Sequence, residues 1–89
     1  MVHPETPPIT PAQCRAARAL LAMHQGELAE RANVSRKTIT DFEKSVRRPY
    51  ERTLRDIKNT LELAGIIFIS GDGDAGPGVR LRDNNNGAS

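Results

Sequence analysis

Residues Gln25 to Glu43 read QGELAERANVSRKTITDFE, and this stretch decides the fold. Its apolar positions form two short helical patterns. Leu28, Ala29 and Ala32 precede the connection Asn33-Val34-Ser35, and Ile39 and Phe42 follow it. Asn33 suits the left-handed backbone that ends a helix. Ser35 is an N-cap residue, because its hydroxyl can accept from a free N–H of the next helix. Val34 is placed to plug the angle between two crossing helices. The spacing predicts one helix from about Gln25 to Ala32 and another from about Arg36 to Lys44.

Two helices joined this way form a helix-turn-helix, whose second helix can enter a DNA major groove. Helical hairpins without that role are common, so the charge around the unit decides how to read it. The net charge of the 89 residues is only +2. Its distribution is more informative. Arg36, Lys37, Lys44, Arg47, Arg48, Arg52, Arg55 and Lys58 face only Asp41, Glu43, Glu51 and Asp56, a local excess of four positive charges. A charge run is ordinarily a solvated helix face. Clustering at and after the second helix points instead to phosphate.

Outward from this unit, the remaining elements follow from their own signals. Thr10 caps a first helix, Pro11 occupies its first position, and Ile9 is placed to staple onto its first turn. That helix runs to about Ala22, with Cys14, Ala17 and Leu21 as its buried stripe. Ser45 to Pro49 is a basic loop whose proline opens the next helix, over about Tyr50 to Ala64. Leu54, Ile57, Leu61 and Ala64 share one face of it, and Gly65 is its stop signal. Ile66 to Ile69 and Val79 to Arg82 then read as two strands joined by a glycine-rich connection, a β-hairpin. A lone hairpin is marginal in water, so it must pack on the helices or pair with a second copy. Residues 1–9, with three prolines, are expected to be an extended or disordered arm. Residues 10–64 form the helical domain, 65–82 the hairpin, and 83–89, with three consecutive asparagines, a disordered tail.

A core this small and this poor in aromatic residues must be mainly aliphatic. Cys14 is the single cysteine, which excludes a disulfide scaffold and a zinc site of paired cysteines. It reads as a small buried hydrophobe. His3 and His24 have no carboxylate at metal-ligand spacing, and no metal or cofactor is expected. No nucleophile motif surrounds Ser35, Ser45 or Ser70. Residues 71–78 lack the Gly-Lys-Ser/Thr ending of a phosphate loop, and Asp72-Gly73-Asp74 is too sparse for calcium. No enzyme is therefore expected. No apolar run reaches the length of a signal peptide or membrane span, so a cytoplasmic protein is the expectation.

The chain resembles the Cro/cI-type (XRE) helix-turn-helix family over about Thr10 to Ala64. The matching residues are Arg18, Gln25-x-Glu27-Leu28-Ala29, Val34-Ser35, Thr38-Ile39, Phe42-Glu43 and Arg48-Pro49. Asn33 and Ser45 stand where the family often has glycine, and a strand pair stands in place of the usual fifth helix. The resemblance implies a mainly α fold, four lambda-repressor-like helices followed by the C-terminal hairpin. It implies that Arg36, Lys37 and Thr40 face base edges. Asp41 either accepts from a cytosine amino group or neutralises a neighbour. Gln25, Ser35, Thr38, Lys44, Arg47 and Arg48 would contact the DNA backbone. Arg18 and Glu43 would be a structural pair joining the first helix to the third.

These expectations make a transcription regulator, for instance a repressor of a phage or other mobile element. It would bind a two-fold operator as a homodimer. Ile66, Ile67, Phe68, Ile69, Val79 and Leu81 are the expected dimer contacts. An antitoxin that neutralises a toxin protein and autoregulates through the same unit is the competing expectation. A helix-turn-helix that has lost DNA binding is a third, against which the retained basic residues argue.

Overall fold

The computed structural model describes residues 8–83. The arm up to residue 7, including His3, and the tail from residue 84 lie outside the described residues. Four helices come first: α1 (Pro11–Leu21), α2 (Gln25–Ala32), α3 (Arg36–Glu43) and α4 (Glu51–Leu63). Two strands follow, β1 (Ile66–Ile69) and β2 (Gly78–Leu81), paired antiparallel. The fold is therefore the expected mainly helical one with a C-terminal hairpin.

Local chemistry explains the boundaries. Thr10 and Gln13 form a reciprocal capping box at the start of α1, each side chain bonded to the other's backbone N–H. Asn33 takes the left-handed backbone at φ 61°, as its short polar side chain allows, and Ser35 accepts from the Thr38 N–H at 3.0 Å. Other ends fall a residue from expectation. Ala22 is left-handed at φ 54° and caps α1, a conformation that alanine does not announce in sequence. Lys44 and Ala64 cap α3 and α4 and do not extend them. Pro49 does not open α4; Tyr50 is its N-cap and Glu51 its first residue. Strand β2 lies one residue earlier than expected. Its Gly78 pairs with Ile69, while Arg82 donates its N–H to the Gly65 carbonyl at 2.7 Å.

The core is aliphatic around one aromatic ring. Phe42, Leu28, Ile39, Ile57, Leu61, Ile66 and Cys14 are fully buried, and Ile9 joins them as the staple. The hairpin packs on the helices through one face. Partners Phe68 and Val79 lie on it with Ile66 against the core, and alternation turns Ile67, Ile69 and Arg80 outward. Gln13 fastens the other end of the hairpin. Its Nε2 donates to the Ile69 carbonyl at 3.2 Å and the Gly78 carbonyl at 2.9 Å, so one buried amide holds both strands to α1.

Candidate nucleic-acid interface

The interface begins with a buried carboxylate. Glu43 ends α3 and is 3% exposed. Arg18 reaches it from α1 in a two-pronged ion pair, Nε to Oε2 and Nη2 to Oε1, both at 2.7 Å. Cys14 Sγ donates to Oε2 at 3.1 Å, and Gln25 Nε2 donates to Oε1 at 3.0 Å. Each oxygen thus has two donors, which fills the acceptor capacity of an ionised carboxylate. Burial alone would raise the Glu43 pKa. The bonds from Arg18, Gln25 and Cys14, with the Arg18 charge, outweigh it and hold the pKa below the ordinary range. The same bond raises the Arg18 pKa against the opposing effect of its own burial. Arg18 also donates to the Met23 carbonyl at 3.0 Å, and Arg15 donates to the Glu43 carbonyl. Helix α1 and the start of α2 therefore fix the end of α3.

The opposite side of α3 is exposed and cationic. Arg36, Lys37 and Lys44 point to solvent, and Arg47 and Arg48 follow in an exposed loop. Ser45 takes φ 60° at the start of that loop, where the Val46 and Arg47 N–H groups fold back onto the Asp41 carbonyl. The loop thereby forms one wall of a groove of about 710 Å³, with Ser35, Thr38 and Asp41 on the other side and Arg47 and Arg48 among its lining. Ser35 and Thr38 hydroxyls bond each other at 2.8 Å at its edge. Four expected backbone contacts, Ser35, Thr38, Arg47 and Arg48, are brought together here.

Gln25 lies on the other flank of α3, with its side chain turned inward. Besides holding Glu43 it accepts from the Thr40 hydroxyl at 3.1 Å. Of the expected base readers, Arg36 and Lys37 are exposed and Thr40 is half-buried against Gln25. Asp41 forms an i,i+4 ion pair with Lys37 at 3.1 Å, with its side chain 17% exposed. Of its two expected roles, this pairing is the geometry that neutralising a neighbour calls for. Lys37 keeps 82% of its side chain in solvent, so the pairing leaves its ammonium able to reach a ligand.

The expected dimer contacts separate into two sets. Ile66 is 0% exposed inside the protomer's own core and has no surface to offer a partner. Phe68 and Val79 are also partly spent on that core, and the Lys58 ammonium lies 5.9 Å from the Phe68 ring centre. Ile69 and Leu81 are 41% and 49% exposed, and Ile67 is half-buried.

Two residues central to the arrangement carry signals that are easy to overlook. Thr10-Pro11-Ala12-Gln13 is a capping-box pattern readable in sequence, although nothing in it announces the reach to the hairpin. Cys14 is buried as expected, but its thiol is also a donor to Glu43, and burial with that bond pushes its pKa up.

Among the described residues no group of side chains is arranged to hold a metal ion, and no helix is long and apolar enough to cross a membrane. No curated protein matches the chain in sequence. A helix-turn-helix family model matches residues 15–64, from within α1 through the end of α4. The match covers more than half of the chain and spans both the buried anchor and the cationic face, so the chain belongs to the Cro/cI-type (XRE) helix-turn-helix family of DNA-binding regulators.

Proposed function

We propose that the chain is a sequence-specific transcriptional regulator that binds a two-fold operator as a homodimer, with α3 in the major groove. The observation that carries this reading is the two-sidedness of α3. Its inner side is fixed by a saturated ion pair, and its outer side and following loop present five exposed cations. A reader helix needs both, because docking accuracy and phosphate attraction are separate demands.

Arg36 and Lys37 are the principal base readers, suited to guanine O6 and N7, and Thr40 contributes beside them. Asp41 acts by setting Lys37. Ser35, Thr38, Lys44, Arg47 and Arg48 hold phosphates along the groove, and the uncapped start of α2 at Gln25 presents free N–H groups to another. Dimerisation uses the outward hairpin face, Ile67 and Ile69, with help from Leu81, which pairs with Ile66 on the other face but is left exposed at the hairpin's end.

Salt-dependent binding tests the reading. Arg48→Ala is expected to weaken binding to all duplexes alike and to lower the slope of log affinity against log salt by about one. An unchanged slope, with unchanged affinity, removes the loop from the interface.

A further inference from the structure

The bonds around Gln25 have a direction, and the direction reaches the DNA-facing surface. Glu43 is ionised and can only accept, so the Gln25 amide must turn its Nε2 toward it. Gln25 Oε1 then points at Thr40, and an oxygen there can only accept, so the Thr40 hydroxyl must donate its one proton inward. We infer that Glu43, acting through Gln25, fixes Thr40 as a hydrogen-bond acceptor toward DNA, so that Thr40 selects a base edge offering an amino group, adenine N6 or cytosine N4. With its proton committed, the hydroxyl has lone pairs and a methyl left to present. It cannot donate to guanine O6 or N7, nor to a phosphate oxygen. The thymine methyl of a neighbouring pair remains compatible with the Thr40 methyl.

This rests on the reading of α3 as the major-groove helix. Gln25 is a positioning residue in it, and Thr40 is the residue in contact.

The test is selection from random duplexes by the unsubstituted chain, then affinities on single-base-pair variants of the selected site. Four proteins are compared: Thr40→Val, Thr40→Ser, Gln25→Met and the Gln25→Met/Thr40→Val double variant. At one base pair per half-site, Thr40→Val is expected to lower the preference for the amino-bearing base by about two- to tenfold, the range of a single hydrogen bond. Thr40→Ser retains the preference, since it keeps the committed hydroxyl. Gln25→Met frees the proton and raises the relative affinity for guanine at that pair, and it has no such effect in the Thr40→Val background. A purely structural Gln25 would lower affinity for every duplex equally and in both backgrounds.

Selection of guanine by Thr40 in the unsubstituted chain overturns the inference. So does a Thr40→Val variant with unchanged base preference while Arg36→Ala still alters it. Absence of any selected motif overturns the α3 reading itself. If Gln25→Met does not fold, the Thr40→Val and Thr40→Ser pair still decides the matter.

Discussion

Glu43 carries more of this protein than any other single side chain. Four donors saturate it, so its removal frees Arg18, Gln25 and Cys14 together. Breaking a buried pair costs about 3–5 kcal/mol when one partner stays behind, and Glu43→Gln should fall near the lower end because Arg18 retains 20% exposure. Urea denaturation measures the loss. The charge also sets a pH dependence. The folded-state pKa of Glu43 lies below its unfolded value, so the carboxylate's stabilisation is complete above the ordinary glutamate pKa of about 4.3. It is lost as pH falls from there through the folded-state value. Between pH 6 and pH 3 the unsubstituted chain should therefore lose more stability than Glu43→Gln does. Cys14 behaves oppositely as a reactive group. Burial and the neighbouring carboxylate keep its thiol protonated, so a disulfide reagent at pH 8 should label it only as fast as the chain opens.

At the scale of elements, the hairpin owes its attachment to α1. Gln13→Ala removes two bonds to strand carbonyls and half of the capping box, a cost of about 2 kcal/mol. Hydrogen exchange should show amides of β1 and β2 losing protection more than those of α4. Equal losses everywhere would mean that the hairpin does not depend on this bond. The helices themselves were legible from periodicity and caps, as Asn33, Ser35 and Thr10 illustrate. Less legible was what depends on distant partners. Gln13 meets strands more than fifty residues away. Cys14 and Gln25 donate to the two oxygens of one carboxylate, on a helix that neither belongs to. Ile66 reads as a strand residue in either case, and only packing shows that the protomer's core takes it. The left-handed Ala22 had no local signal, because the backbone there is imposed by the return of the chain into α2.

For the whole molecule, the proposed two-fold binding requires a second copy. A single copy offers one α3, and the outward hairpin face carries apolar side chains that its own core leaves uncovered. Ile67→Glu and Ile69→Glu should shift the chain toward monomer in analytical ultracentrifugation while leaving its thermal transition nearly in place. If instead the unsubstituted chain is a monomer that co-purifies with a small toxic protein, the same face serves the antitoxin reading. The function of α3 is separable from that outcome. It is tested most directly by the ratio of affinities for the selected operator and a scrambled duplex, measured for the unsubstituted chain and for Arg36→Ala/Lys37→Ala at one salt concentration. With α3 as the reader, the ratio falls by about a hundredfold toward unity while scrambled-duplex binding changes far less. An unchanged ratio would mean that the sequence is read elsewhere.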